Sequence, residues 1–247
     1  MTVPLIVFED LDSTSAEARR RAQAGKLGPQ WIMARRQSAG RGRRGRVWQS
    51  GADNLAATLL LTLDAAPLQA AQLGFVAALA VRDLVEAYVP AALVRLKWPN
   101  DVLIDGRKAA GVLIESGPAS AGGLWVSIGI GVNLASSPSD AEYPAIALAD
   151  ALRADVTAPP SQDEAMERLA ACFAARLDQW LTQGFEPVRQ AWLERAMGMG
   201  QACRARLPRQ TLDGVAESLD ADGALLLRLP SGDLTRIAAG DVFFGAR

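Results

Sequence analysis

The chain has 247 residues, with 26 Lys and Arg against 27 Asp and Glu and no histidine, and 50% of it is hydrophobic. The missing histidine excludes Ser-His-Asp and Cys-His catalysis and every histidine-ligated metal site, and the cysteines Cys172 and Cys203 provide no disulfide or metal framework. The near-neutral charge disfavours a general nucleic-acid-binding protein. With no signal peptide and no apolar run near the roughly 20 residues that cross a bilayer, we expect a cytoplasmic protein that contacts no membrane.

The N-terminal segment predicts a strand followed by a helix. Residues 4–8 are apolar enough for a strand, and an Ala-, Arg- and Glu-rich segment then runs to Gln23. Thr14 and Glu17 have the spacing of a capping box, so the simplest role for Ser13 and Thr14 is helix capping. A helix N-terminus with free N–H groups also binds anions or polar ligand heads. Both roles are compatible if one hydroxyl caps the helix and the other faces a site.

A strand is predicted at residues 31–35, and Gln37 and then a basic, glycine-rich loop follow it. Residues 40–46, called the arginine loop below, contain four arginines and three glycines. Glycine lets a ligand approach the backbone closely, and the guanidinium fork matches the oxygens of a carboxylate or phosphate. We therefore interpret the arginine loop as an anion-binding segment, with a solvated basic loop as the alternative.

Gly40, Gly42 and Gly45 also match the G-x-G-x-x-G spacing of dinucleotide-binding sites. Such a site requires a helix that begins at the loop. Residues 47–54 are turn-rich and too short for a crossover helix, so we exclude a Rossmann site here. No Gly-Lys-Ser/Thr sequence follows the loop, which also excludes a Walker loop.

The central segment predicts buried strands at residues 55–63 and 94–98, with a long core helix at 68–89 between them. The second strand ends in Lys-Trp-Pro-Asn-Asp. Proline fixes its own φ and keeps the preceding residue extended, so Asn100 and Asp101 lie in a rigid turn. This pair either serves the turn alone or offers an amide and a carboxylate to a nucleotide or its metal.

A β-hairpin is predicted around Asp105-Gly106, between strands at residues 102–104 and 109–115. Lys108 begins the return strand. Strict alternation places Lys108 on the opposite face of the sheet from Gly111, unless a β-bulge intervenes.

The clearest pattern in the chain is the alternation at residues 124–134. Even positions are apolar, whereas odd positions include Gly129 and Gly131 between Ser127 and Asn133. Period 2 predicts a strand with one core face and one face that is nearly bare of side chains. Either another protein segment or a ligand packs against the glycines, and the flanking polar residues favour a ligand.

The last third of the chain predicts helices followed by a small β domain. Helices are expected at residues 145–153 and 161–195. Short strands separated by Gly, Pro and Asp turns follow at 202–207, 213–219, 225–229, 234–237 and 241–244. This spacing is typical of a small β-barrel or sandwich. We therefore predict a larger domain at residues 1–198, which bears the site, and a small β domain at 199–247.

The site motifs occur in a fixed order: Asp12-Ser-Thr, Gln37-x-x-Gly-Arg-Gly-Arg-Arg-Gly-Arg-x-Trp48, Lys97-Trp-Pro-Asn-Asp101, Arg107-Lys-x-x-Gly111 and Gly129-x-Gly-x-Asn133. With these motifs the whole chain closely resembles the bacterial biotin–protein ligases, the biotin–[acetyl-CoA-carboxylase] ligases. The resemblance implies an α+β fold, in which a catalytic domain like that of class II aminoacyl-tRNA synthetases, with a mixed sheet and helices, precedes a small C-terminal SH3-like β-barrel. Because the chain begins at the catalytic domain, the resemblance implies the monofunctional type without an N-terminal DNA-binding domain.

The resemblance also implies a reaction and its partners. Biotin is activated with MgATP to biotinyl-5′-AMP, and the biotinyl group then passes to a specific lysine of the biotin carboxyl carrier protein of acetyl-CoA carboxylase. Mg²⁺ is expected to arrive with ATP, with no metal site of the protein's own. No nucleic-acid or membrane partner is implied, and either a monomer or a homodimer is expected.

The binding residues are implied position by position. Ser13 and Thr14 surround the ureido head of biotin. Ser15 stands where the family often has Asn, so a contact there is shorter or lost. The remaining biotin and ATP contacts fall on Gln37, Gly40, Arg41, Gly42, Arg43, Trp48 near adenine, Asn100, Lys108, Gly111, Gly129, Gly131 and Asn133.

The resemblance, together with the charges of the reacting groups, assigns catalysis to Lys108, Arg43 and Asp101. Lys108 meets the biotin carboxylate and the phosphate, and Asp101 accepts or orients the proton of the carrier lysine. The chemistry agrees with the composition, because joining a carboxylate to a triphosphate brings two anions together. Catalysis of that step is mostly positioning and electrostatic stabilisation, which require no histidine.

Two alternatives remain open. A lipoate-type acyl-adenylating protein ligase would have a narrow apolar tunnel for a thin chain, whereas Ser13, Thr14 and Gln37 suit a ureido ring. A nucleic-acid-binding module would use the arginine loop on phosphates, but it would need a broad basic face that this composition does not favour.

Overall fold

The computed structural model describes residues 3–120, 122–139 and 143–245. Across them the chain forms a seven-stranded mixed sheet and a five-stranded antiparallel sheet. The large sheet contains β1 (Leu5–Leu11), β2 (Gln30–Gln37), β3 (Leu55–Leu63), β4 (Val94–Lys97), β5 (Asp101–Ile104), β6 (Arg107–Pro118) and β7 (Leu124–Val132). The helices are α1 (Thr14–Gln23), α2 (Pro67–Glu86), α3 (Gln162–Gln183) and α4 (Phe185–Leu193). The second sheet contains β8 (Ala202–Arg206), β9 (Thr211–Leu219), β10 (Leu225–Arg228), β11 (Leu234–Ile237) and β12 (Asp241–Phe244).

The large sheet has the strand order β1-β2-β3-β7-β6-β5-β4. Among the described strands, β1 and β2 pair in parallel and the other neighbours pair antiparallel. On one face α1 packs over a small cluster that includes Ala18, Ala22, Ile32 and Leu60. On the other face α2 and α3 cover the main core. This architecture confirms the predicted α+β fold.

Strand β7 gives the sheet two different faces. Val126, Ile128 and Ile130 are at most 3% exposed and pack into the main core, and burying each such side chain contributes about 1.5–3 kcal/mol. Gly129 and Gly131 lie on the opposite face, where they contact side chains from α1 and from the segment after the arginine loop. The alternation seen in the sequence therefore separates the core from the site.

Helix α2 is long and apolar enough to cross a membrane by length and composition, contrary to our expectation that no apolar run comes near that length. However, 72% of its most apolar window is buried inside the protein. Leu73, Val76, Leu79 and Leu84 are fully buried, and α2 packs against the sheet and α3. The core of the protein accounts for the hydrophobicity of this helix.

Two helix predictions are wrong in detail. Residues 145–153 form only a short 3-10 turn at Leu148–Asp150, because neighbouring strands engage their backbone. The N–H of Leu148, for example, donates to the carbonyl of Asn133. The helix expected at 161–195 is divided into α3 and α4 by Gly184, whose φ of +77° is a left-handed conformation that favours glycine.

The second sheet has the order β11-β10-β9-β8-β12, as expected of a small β-barrel, and β9 begins two residues before the predicted strand. The chain enters it through Gly198 and Gly200, both with positive φ. The two sheets are joined by contacts such as the hydrogen bond from Trp98 Nε1 to the carbonyl of Gly223, at 3.1 Å. The division into domains at 1–198 and 199–247 stays a prediction.

Candidate active site

A cavity of about 370 Å³ lies where four segments meet: the N-terminus of α1, the arginine loop, the glycine-bearing face of β6 and β7, and the start of β12. Its volume falls within the roughly 300–1,000 Å³ range of small-molecule sites. Every residue predicted to form the site lines this cavity except Gly40, which is buried beside it and lines a neighbouring cleft. The structure thus brings together side chains from distant parts of the sequence.

The N-terminus of α1 divides the two hydroxyl roles. Ser13 is the N-cap, and its Oγ accepts from the N–H of Ala16 at 3.4 Å. Thr14 does not cap the helix, so the predicted capping box with Glu17 is wrong. Instead the backbone N–H and Oγ1 of Thr14 both donate to Oε1 of Gln37, at 2.8 and 3.2 Å. Ser13 therefore caps the helix whereas Thr14 bonds to Gln37, and both residues line the cavity.

The arginine loop is a compact hairpin. The N–H of Gly42 donates to the carbonyl of Arg46 at 2.8 Å, and the N–H of Trp48 donates to that of Gly40 at 2.9 Å. A short 3-10 turn at Arg43–Gly45 contains Arg44 in the left-handed region. No α-helix begins here, because the described chain continues from this turn to β3, and the loop therefore lacks the crossover helix of a Rossmann site, as predicted.

Asp241, at the start of β12, anchors the arginine loop to the second sheet. Its carboxylate lies 3.6, 3.1 and 2.6 Å from the guanidinium groups of Arg43, Arg44 and Arg46, and its side chain is 8% exposed. Burial acts to raise the pKa of Asp241, but the hydrogen bond from Arg46 and the charges of the three arginines outweigh it and leave that pKa below its ordinary value.

Arg43 is held in place from three directions. Besides facing Asp241, it donates from Nη1 to Oδ1 of Asn100 and from Nη2 to the carbonyl of Gly240, both at 3.1 Å. Burial lowers the pKa of the Arg43 guanidinium, and Asp241 opposes that shift. Arg41 points elsewhere and pairs with Glu115 at 3.5 Å. The loop therefore presents two arginines to different parts of the cavity.

A β-bulge brings Lys108 onto the face of the site. In the β5–β6 ladder Val102 faces Ala110 and Leu103 faces Lys108, so the register shifts by one residue between them. The shift places the Lys108 side chain beside Gly111. Its Nζ lies 2.6 Å from Oδ1 of Asp101. Lys108 and Asp101, which alternation alone could not place together, form an ion pair within the cavity.

The glycine face of β7 is covered in part by protein. A Cβ at Gly131 would overlap the indole ring of Trp48, and a Cβ at Gly129 would lie 2.5 Å from Oγ of Ser15. A protein side chain therefore packs against each glycine, and at Gly131 the absence of a side chain leaves room for the indole. Both glycines also line the cavity, and their contact with a ligand stays a prediction.

Three polar atoms in residues that line the cavity are buried without a hydrogen-bond partner among the described residues: Oδ1 of Asn133, Nε1 of Trp48, and Oδ1 of Asp101, which is in an ion pair with Lys108. The Asn133 side chain is held by its Nδ2 group, which donates to the carbonyl of Ile146 at 3.2 Å. An unsatisfied acceptor and donor at one end of the cavity indicate polar ligand atoms there, because burying such groups unpaired is costly.

Sequence reasoning missed Asp241, Tyr143 and Thr58. Asp241 and Arg46 are 195 positions apart, so no local spacing could connect them. Tyr143 lines the cavity and stacks with Phe243 at a centroid distance of 5.6 Å. Thr58 is an interior position of an apolar strand, where threonine is common. The sequence offered no local signal for Asp241, because its burial and its arginine contacts are visible only in the folded protein.

Comparisons with known proteins identify the family. The model of the Biotin/lipoate A/B protein ligase family matches residues 7–133, and that of the Biotin protein ligase C terminal domain matches residues 198–245. The biotin--[acetyl-CoA-carboxylase] ligase of Paracoccus denitrificans is 44% identical over 95% of this chain and 98% of its own. The ligase of the same name from Mycobacterium tuberculosis is 34% identical over 96% of this chain and 88% of its own.

A solved structure agrees in fold. The biotin protein ligase from Aquifex aeolicus in complex with biotin and ATP has a TM-score of 0.77 and 22% identity, over 99% of both chains. At this identity the likeness shows the fold alone. Together with the match of the family model to half of the sequence, it leads to one conclusion: the chain belongs to the biotin/lipoate A/B protein ligase family.

Proposed function

We infer that this chain is a biotin–protein ligase of the biotin–[acetyl-CoA-carboxylase] type. It activates biotin with MgATP to biotinyl-5′-AMP and passes the biotinyl group to a specific lysine of a biotin carboxyl carrier protein. One observation carries the inference. A single cavity has uncharged donors and acceptors around Thr14, Gln37 and Gly129, and Lys108 and Arg43 beyond Gly131. Such a cavity suits a neutral polar ring whose side chain ends in a carboxylate.

The cationic end of the cavity supports adenylation. The biotin carboxylate is ionised at neutral pH and needs no general base. Bringing it to the α-phosphate of ATP is opposed by charge repulsion, which Lys108 and Arg43 offset. Asp101 and Asn100 hold these two cations in fixed positions before the substrates meet, which reduces the cost of orienting them during the reaction. Mg²⁺ enters with ATP and neutralises further phosphate charge.

For the nucleotide we propose the end of the cavity near Trp48 and Asn133. The buried Oδ1 of Asn133 is an acceptor for an exocyclic amine, and the indole provides a stacking surface. In the transfer step the carrier lysine must lose a proton before it attacks the adenylate. We assign Asp101 as the group that accepts or orients this proton, because its carboxylate lies in the cavity beside Lys108.

The lipoate alternative is disfavoured by two features. A thin acyl chain needs few polar partners, whereas Thr14 and Gln37 form a hydrogen-bonded polar wall. The second family model, over residues 198–245, is the C-terminal domain of biotin protein ligases. We also propose that the arginine loop serves this small-molecule site and not nucleic acid, since Arg43, Arg44 and Arg46 contact Asp241 within the protein.

We propose that the enzyme works in the cytoplasm. Cys172 and Cys203 are free thiols in the structure, as is usual in a reducing compartment. A monomer and a homodimer are both compatible with this proposal.

The deciding experiment incubates the protein with MgATP, a purified carrier domain, and labelled biotin or labelled lipoate in parallel. We expect label transfer from biotin alone, at a rate reduced by about 10²–10³-fold when Lys108→Ala replaces the wild type. Transfer of lipoate instead would overturn the proposed substrate, and transfer of neither label would overturn the proposed reaction.

A further inference from the structure

A chain of hydroxyl groups lies behind the polar wall of the cavity. Oγ1 of Thr58 donates to Oγ1 of Thr14 at 2.8 Å, and Oγ1 of Thr14 donates to Oε1 of Gln37 at 3.2 Å. Oγ of Ser15 lies 3.5 Å from Oγ1 of Thr58. Thr58 is fully buried on β3, opposite Gly129, and lies behind the threonine and serine that line the cavity.

The geometry assigns a direction to the protons of this chain. The backbone N–H of Thr14 donates to Oε1 of Gln37, which identifies that atom as the amide oxygen. Because an amide oxygen only accepts, the Thr14 hydroxyl must be the donor in its own hydrogen bond to Oε1. Each hydroxyl has one proton, so Thr58 must supply the donor to Thr14. Thr14 Oγ1 then has one remaining lone pair and no proton to offer, and it presents an acceptor to a ligand.

The neighbouring hydroxyl has the opposite character. Oγ of Ser13 accepts from the N–H of Ala16, which leaves its own proton available for donation into the cavity. The amide group of Gln37 is fixed with Oε1 toward Thr14, so its Nε2 group lies on the side of Gly40. The polar wall thus offers donors from Ser13 and Gln37 and an acceptor from Thr14.

We propose that Thr58 is a positioning residue that sets this pattern and thereby the selectivity for a cyclic urea, an inference that rests on the proposed function. A ureido group has one carbonyl acceptor and two N–H donors, so it requires the donors and the acceptor in this arrangement. Thr58 acts through Thr14 and does not touch the ligand. Without the Thr58 hydroxyl, Thr14 loses the donor that fixes its rotamer. The direction of its free lone pair is then no longer fixed.

The test compares Thr58→Val, which keeps the shape of the side chain, with Thr58→Ser, which keeps the hydroxyl. The matched control is Thr62→Val, the same substitution on the same face of β3, at an exposed residue that bonds to the carbonyl of Leu27. Calorimetry measures the Kd of biotin and of ATP separately, and biotin methylated at one ureido nitrogen serves as a second ligand. Thermal unfolding monitors the fold of each variant.

We expect Thr58→Val to raise the Kd of biotin by roughly tenfold, the effect of about one buried hydrogen bond, with the Kd of ATP unchanged. Thr58→Ser and Thr62→Val should bind biotin within about twofold of the wild type, because each keeps the hydroxyl of position 58. The penalty for methylating biotin should shrink in Thr58→Val, since the acceptor that the methyl group blocks is already misplaced.

Equal biotin affinity in Thr58→Val and Thr62→Val would overturn the proposal. So would parallel losses of biotin and ATP affinity that Thr58→Ser fails to restore, because they indicate a structural role. If Thr58→Val does not fold, Thr58→Ala removes the hydroxyl with a smaller side chain, and wild-type biotin affinity in it would overturn the proposal as well. A wild-type protein that binds no biotin would overturn the proposed function itself and this inference with it.

Discussion

Replacing Asp241 with Asn tests the link between the arginine loop and the second sheet. The substitution keeps the shape of the side chain and removes a charge that is 8% exposed and lies within 3.6 Å of Arg43, Arg44 and Arg46. Removing one partner of a fully buried ion pair costs about 3–5 kcal/mol, whereas exposed pairs contribute about 0–1 kcal/mol. The arginine side chains are 21–36% exposed, so we expect an intermediate loss of about 2 kcal/mol.

Urea denaturation at neutral pH measures this loss, and biotin-dependent ATP–pyrophosphate exchange reports the effect on Arg43. The control is Asp213→Asn, which removes an exposed pair with Arg204 at 2.8 Å on the same sheet. A destabilisation by Asp241→Asn no larger than that of Asp213→Asn would refute the reasoning from burial.

The stability difference also has a predicted pH dependence. The arginines hold the pKa of Asp241 below its ordinary value despite its burial. Its contribution is therefore fully present above the ordinary carboxyl pKa of about 3.9 and is lost as the pH falls through the lower pKa of the folded state. The wild type and Asp241→Asn should accordingly converge in stability in acid below about pH 4. If the difference in unfolding free energy between the two proteins stayed constant down to the acid transition, the predicted direction of the pH dependence would be wrong.

Three further predictions address the site and the fold. Lys108→Ala should reduce adenylate formation, measured as biotin-dependent ATP–pyrophosphate exchange, by about 10²–10³-fold. Replacement of the exposed Lys26 by Ala is the control, and near-normal exchange by Lys108→Ala would refute the role of Lys108. Arg43→Ala should release the adenylate at least about tenfold faster, which is the effect of a lost charge-assisted hydrogen bond. Filter binding measures the release, and trypsin cleavage of the arginine loop with and without biotin and ATP reports whether the ligands order the loop. Slow release together with unchanged cleavage would show that the loop does not hold the adenylate. Gly184→Ala should destabilise the fold by about 1 kcal/mol, because Gly184 has a positive φ that alanine rarely adopts. The control Gly74→Ala, within α2, should not destabilise it, since a Cβ there meets only an ordinary contact. Equal melting temperatures of the two variants would contradict this prediction.

Patterns of short range predicted much of the fold. The alternation in β7 places its apolar residues in the core because side chains of a strand alternate strictly between two faces. The hairpin turn at Asp105-Gly106 was equally predictable, since both residues adopt the positive φ that such turns require. The helix expected at 145–153 failed because its local propensity was overridden by hydrogen bonds to strands far away in the sequence.

In the candidate site too, local patterns predicted some features and the tertiary structure decided the others. Arginines, glycines and a carboxylate–amide turn could be identified as site residues from their chemistry and from the motifs that they form. The sequence by itself determined which side chains are available and which strand has a bare face, because these depend on residue type and on period alone. The tertiary structure decided which charges meet: a one-residue bulge moved Lys108 to Asp101, and the packing of two sheets brought Asp241 to the arginine loop. Register shifts and contacts across 195 positions leave no local signal, because they arise from the competition among all strands for the same hydrogen bonds and the same core.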